Sequence, residues 1–368
     1  MAHFRGNSDS HTYDAIDWER YLTPPEYSVA THRATSASAF ARQKENISKL
    51  CHLLCPRTVV CMGAGYLNDI PEDDFIADGA DVYFVEWVKG ITEQAFRYDL
   101  IKQIEEQFAC LVCKCSGDPH KYCKNYQKQG GFFSRARKKE SGDICENFAA
   151  AGQNIVPLCS NYAPGEFPQF VHADVTQGIA EHFAREVPDI LKRAQNPRQA
   201  FRRAVQTSER PCANKLLPLG DHSVDFITSS MVASQFDFEP YTYFIRNLLL
   251  RFGQNLAGRH IDEFETLEKT LRDNLFLSQV EGHCREMLRL LKPQGRIYFS
   301  IETLHKDKPS DPWFHAEVAS KTMGIIGQHF YFDMESLPEI AIPERAAMVK
   351  GGTSVIHAYL LLPKGASQ

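Results

Sequence analysis

The chain has 368 residues, 43% hydrophobic and 24% charged, with a formal net charge of −5. These proportions exclude a disordered chain, a collagen-like fibre and a disulfide miniprotein, and fit one large or two ordinary domains. No apolar run approaches the roughly 18 residues that cross a bilayer, and the first thirty residues are polar and mixed in charge, unlike a secretory leader. The expected location is therefore the cytoplasm, with no membrane partner.

In chain order, Met1 to about Ala30 is polar and broken by Pro24 and Pro25, which reads as a loosely ordered arm. A cap helix follows. Thr35 or Ser36 can cap it, and Phe40, Ile47, Leu50, Cys51 and Leu54 recur at helical spacing until Pro56. Short apolar runs read as buried strands at Arg57–Met62, Asp81–Trp87, Phe170–Ala173, Ser223–Ser229 and Gly295–Ile301, with helical patterns between them. The clearest such helix runs from Phe264 to Leu291 and stops at Lys292-Pro293-Gln294-Gly295. Alternation of this kind predicts an α/β fold with a mostly parallel sheet covered on both faces. Phe330–Asp333 and Ser354–Leu362 have no helix of comparable length between them and are expected to end the sheet as an antiparallel pair.

The spacing is uneven twice. A strand–helix–strand unit takes about 30 residues, yet far more chain separates Glu86 from Asp174, and Asp225 from Gly295. The expected organisation is an N-terminal arm and cap helix over 1–55 and a main domain over 56–365. A cysteine-rich basic insertion over 108–165 and a helical insertion over 240–275 interrupt that domain.

After the first strand stand Gly63, Ala64 and Gly65, and Glu86 ends the second strand. Glycines let the backbone turn sharply and approach a ligand, while a carboxylate on strand two can accept both hydroxyls of a ribose. A third strand ends in HADV, where Asp174, next to Val175, can accept from an adenine amine. All lie at carboxyl ends of strands, where open α/β sheets bind ligands.

These residues resemble the class I S-adenosylmethionine-dependent methyltransferases. VVCMGAGYLND is similar to the family's first motif, DVYFVEW to the second, HADV to the third, LPLGDHSVDFITSSMVASQF to the fourth and MLRLLKPQGRIYFSIE to the fifth. The resemblance implies a doubly wound, mostly parallel seven-stranded sheet with an antiparallel last strand. It also implies S-adenosylmethionine held by Gly63, Ala64, Gly65, Asp69, Glu86, Asp174, Val175 and Ser229. Two positions depart from the family's pattern. Cys61 stands where an acidic residue is usual, with Asp69 as its substitute, and Leu67 replaces a third glycine. A nicotinamide-dependent enzyme is the rival fold-mate, but it favours G-x-G-x-x-G, and the sixth position here is Asn68.

Methyl transfer is an in-line displacement that depends mainly on alignment. Candidate bases are His172, His260, His283, Tyr241 and Tyr243, none singled out by its position. Cys110, Cys113, Cys115 and Cys123, with His120 between them, have spacing that can hold zinc, with Cys145 the alternative to Cys115 because a C-x-C element strains chelation of one ion; reduced thiols and an iron–sulfur cluster are the other readings. The basic run Phe132–Lys139 can meet phosphates, but an acidic chain disfavours nucleic acid. A small-molecule acceptor is the expected partner. The alternatives are a catalytically silent scaffold using the cysteine module and an RNA methyltransferase.

Overall fold

The structure, a computed structural model, describes residues 14–22, 29, 40–108, 168–213, 215–253, 261–306, 311, 314–315, 317–333, 338–347 and 352–364. Its chain divides into two compact units.

The larger unit comprises Pro24–Val175, Leu217–Ser234 and Cys284–Gln368 and, among the described residues, holds a nine-stranded sheet. The strands are β1 Thr58–Met62, β2 Asp81–Glu86, β3 Gln169–His172, β4 Val224–Ser230, β5 Leu291–Lys306, β6 Phe314–His315, β7 Phe330–Phe332, β8 Glu344–Ala347 and β9 Thr353–Pro363. Their order is β3-β2-β1-β4-β5-β9-β7, with β6 on β5 and β8 on β9. The pairs from β3 to β5 are parallel, and β9 runs antiparallel to β5, β7 and β8. The direction of winding reverses between β1 and β4, which is the Rossmann-like arrangement with an antiparallel edge.

Strands β1, β2, β4, β5 and β9 bury apolar residues on both sides, as a covered sheet requires, whereas the edge strand β3, expected to be buried, exposes Gln169 and His172. Val59, Cys61, Val82, Phe84, Phe226, Tyr298 and Leu360 point to one side, into a core closed by Ile47, Leu50 and Cys51 of the helix Ala41–Leu54, by Phe75, and by Phe96 of the helix Ile91–Phe108. Val60, Met62, Ile227, Ile297, Phe299 and Leu361 alternate with them and are also buried.

The helix Ala41–Leu54 has Phe40 at its N-cap with no side-chain hydrogen bond, and the expected caps Thr35 and Ser36 lie outside the described residues. The expected turn Lys292–Gly295 lies within β5. Val224 pairs with Leu291 and Phe226 with Arg296, so the surplus residues form an irregularity in the ladder. Gly295 fits there because a Cβ would stand 2.9 Å from the Asp225 carbonyl oxygen.

The smaller unit is helical and comprises Met1–Thr23, Thr176–Leu216 and Gln235–His283. Ile179–Arg193, Pro197–Ser208 and Phe238–Phe252 pack through Phe183, Phe201 and Phe244. Residues 14–22 depart from the loose arm expected of the sequence. Trp18 lies edge-on to Tyr243 at 4.7 Å, Tyr243 Oη donates to the Ile16 carbonyl at 2.6 Å, and Ile16 N donates to Asn247 Oδ1 at 2.9 Å. An aromatic packed against an aromatic helix face outweighs the polar composition around it. The long helix Ile261–Leu290 supplies residues to both units.

Candidate functional site

The turn after β1 is held in a left-handed backbone by Gly63 at φ 67° and Gly65 at φ 48°. Gly63 N and Ala64 N both donate to the Val85 carbonyl, at 2.9 and 3.1 Å, which ties the turn to β2. Glu86 completes the attachment. Its Oε2 accepts from Gly65 N at 2.8 Å and its Oε1 from Val88 N at 2.9 Å, while Thr92 Oγ1 donates to the Gly65 carbonyl at 2.9 Å. Burial pushes the Glu86 carboxyl above its ordinary value, opposed by the amides of Val88, Gly65 and Trp87 and by His172. A carboxylate has about four lone-pair sites, so two amides leave capacity for further donors.

β3 lies beside β2 with His172 opposite Glu86, and Ala173 N donates to the Glu86 carbonyl at 3.2 Å. Two residues past His172, Asp174 is 3% exposed and Val175 is buried beside it. Glu86 and Asp174 therefore stand on adjacent strand tips, next to the glycine turn.

On the other side of the winding reversal, Ser229 is fully buried and lies between Met62 and Phe299. The chain then turns at Met231, φ 60°, whose N donates to the Ser300 carbonyl at 3.0 Å. Val232 comes so close to the glycine turn that a Cβ on Gly63 would stand 2.5 Å from its Cγ2. The ends of β1 and β4 thus meet directly.

Sequence reading missed a polar group just beyond. Ser230 Oγ lies 3.0 Å from Ser300 Oγ, and Glu302 N donates to Ser234 Oγ at 3.3 Å. Ser354 Oγ donates to Glu302 Oε2 at 2.6 Å, and Glu302 Oε1 lies 3.5 Å from His305 Nδ1. The strand register brings them together, with Glu302 opposite Ile356 and His305 opposite Ser354, and that register depends on a break in the ladder between Glu302 and Leu304. The one signal in the sequence was alternation, since Tyr298, Ser300 and Glu302 share a face.

Asp69 is half-buried; burial first, and the Asp69 charge after it, pushes up both the Tyr298 phenol and the Cys61 thiol. Cys61 itself is fully buried and burial is the main cause pushing its thiol up, so it is a core residue.

Of the expected bases, His172 is exposed rather than a core residue, and its Nε2 is hydrogen-bonded to the Trp87 carbonyl. His283 is buried edge-on to Phe236 at 5.1 Å. Burial, then the Glu268 hydrogen bond, pushes the Tyr241 phenol up, and burial does the same to Tyr243. His260 and the thiols Cys110, Cys113, Cys115 and Cys123 lie outside the described residues, as does the basic run Phe132–Lys139. Among the described residues no cluster of His, Cys, Asp and Glu is placed to hold a metal ion, and no helix is long and apolar enough to cross a membrane.

No model of a known protein family matches the chain. No curated protein matches it either. Among solved structures, it is similar to the crystal structure of the PH0226 protein from Pyrococcus horikoshii OT3, at 8% identity and a TM-score of 0.37, over 91% of this chain and 99% of that one.

Proposed function

We propose that the chain transfers a methyl group from S-adenosylmethionine to a small-molecule acceptor. One observation carries this reading: the glycine turn at the winding reversal is bonded to Glu86, and Asp174 occupies the next strand tip. A ribose diol needs paired acceptors and an adenine amine needs one more, in that order away from the turn. The turn suits close approach of a ligand at Gly65, where a Cβ would meet nothing nearer than the Gly63 carbonyl oxygen at 3.8 Å, while the space over Gly63 is taken by Val232. Bound there, the sulfonium supplies an electrophilic methyl carbon, and the protein's task is to align the acceptor with it.

Calorimetry with S-adenosylmethionine tests the reading. Binding that is lost in Glu86→Ala, with the fold retained by circular dichroism, supports it. Absence of binding to the folded wild type overturns it in favour of a silent scaffold. Zinc at Cys110, Cys113, Cys115 and Cys123 is a separate proposal resting on their spacing, tested by metal analysis of the purified full chain.

A further inference from the structure

We infer that a cleft between the helix Ala41–Leu54 and β8 binds a free basic amino acid, a diamino monocarboxylic acid of the lysine class. This site stands apart from the methyl-transfer reading, since none of its residues is among those proposed for the cofactor. β8 lies beside β9, at the far side of the sheet order from β2 and β3, where Glu86 and Asp174 stand.

The cleft encloses about 440 Å³, within the range usual for small-molecule sites. Arg42, Glu45, Asn46 and Lys49 recur at helical spacing and form one wall. Glu339 of the short helix Pro338–Ala341 and Glu344 at the start of β8 form the other. A buried polar network joins the two walls. Asn46 donates to the Tyr298 phenol oxygen, which donates in turn to Gln43 Oε1, and Gln43 Nε2 donates to Glu344 Oε2 at 2.8 Å. Asn46, Gln43 and Tyr298 are all buried, and a buried network satisfied in this way holds its members in one geometry.

Charge selects the ligand. Lys49 pairs with Glu45 at 2.8 Å, and both are exposed at the rim, where water screens them. Arg42, Glu339 and Glu344 are half-buried. The Arg42 guanidinium donates to the Glu339 main-chain carbonyl at 3.4 Å rather than to a carboxylate. The Glu344 carboxylate accepts one amide hydrogen from Gln43 and keeps capacity for further donors. The inner walls therefore carry one cation and two anions, and charges drawn out of water require partners. The complement is a ligand with one carboxylate and two ammonium groups. Lysine has that set, its carboxylate meeting Arg42 and its ammonium groups meeting Glu339 and Glu344. A diamine has no group for Arg42, a neutral amino acid lacks the second cation, and glutamate has the charges reversed.

Calorimetry of the full-length chain at low ionic strength, with L-lysine, cadaverine, L-norleucine and L-glutamate as probes, tests the inference. L-lysine should bind saturably with a Kd below about 1 mM, and the other three at least about tenfold more weakly. Arg42→Gln should weaken L-lysine by about tenfold and make cadaverine no weaker. Glu344→Gln should weaken both ligands, while its amide oxygen still accepts from Gln43 and keeps the fold, as circular dichroism checks. A folded wild type that does not bind L-lysine below about 1 mM overturns the inference. So does any of the other three probes binding as tightly as L-lysine, or L-lysine affinity within about twofold of wild type in either folded variant. The probe series on the wild type decides the case even where a variant fails to fold.

Discussion

The Glu86 carboxylate accepts from Gly65 N and Val88 N at 2.8 and 2.9 Å in surroundings that disfavour its charge. Hydrogen bonds to charged groups contribute about 1.5–3 kcal/mol each, and a tenfold change in affinity corresponds to about 1.4 kcal/mol. Glu86→Ala should therefore weaken S-adenosylmethionine binding by at least about tenfold and lower the melting temperature, since two amides lose their acceptor. Because its folded pKa is raised, Glu86 gains its proton at a higher pH than the ordinary 4.5. Its contribution to stability is complete below that ordinary value and is lost as pH rises through the folded one. Cofactor affinity should run the opposite way, falling on acidification from a pH already above 4.5, and calorimetry across pH should show that limb absent in Glu86→Gln. At Gly63, positive φ and a Cβ position 2.5 Å from Val232 Cγ2 act together. Gly63→Ala should cost more than about 1 kcal/mol in chemical denaturation. Adding Val232→Ala should recover part of this, because the clash is relieved and the backbone strain is not. The sequence made the positions of Glu86 and Asp174 legible through the strand pattern. It could not show that Glu86 is bonded to the glycine turn 21 residues earlier, since that depends on the β1–β2 register.

At the scale of elements, the long helix is anchored at its end by Arg289. Its guanidinium donates to the Leu217 and Leu219 carbonyls at 3.1 and 2.8 Å, to Asp221 at 2.6 Å, and to Glu286, which is fully buried and also accepts from Leu217 N at 2.9 Å. This fixes the chain leading into β4. Removing one partner of a buried pair costs about 3–5 kcal/mol because the other charge is left unpaired, so Arg289→Met should show a loss of that size in urea denaturation. Asp221→Asn should cost little, since Asp221 is exposed. Strands with apolar runs were readable at β1, β2, β3, β4, β7 and β9, as was the long helix. The start of β5 was not, because Lys-Pro-Gln-Gly has turn chemistry and only the neighbouring strand holds it in the ladder. β8 has no strand pattern of its own; Glu344–Ala347 is placed by pairing with β9.

For the whole molecule, the helical unit is drawn from three separated segments, so no local pattern could reveal it. The sheet depends on β9 more than on any other strand outside the parallel set, since it pairs with β5, β7 and β8 at once. A chain ending at Ala347 should lose cooperative unfolding and near-ultraviolet circular dichroism, because β5 then keeps an open edge from Ile297 to Lys306. This pairing also orders events during synthesis. When β1 to β5 emerge from the ribosome, β5 can pair with β4, but its antiparallel partner β9 has not yet been translated, and that edge is a ready template for other chains. Nascent copies should accordingly need chaperone cover until Thr353–Pro363 emerges and closes the ladder.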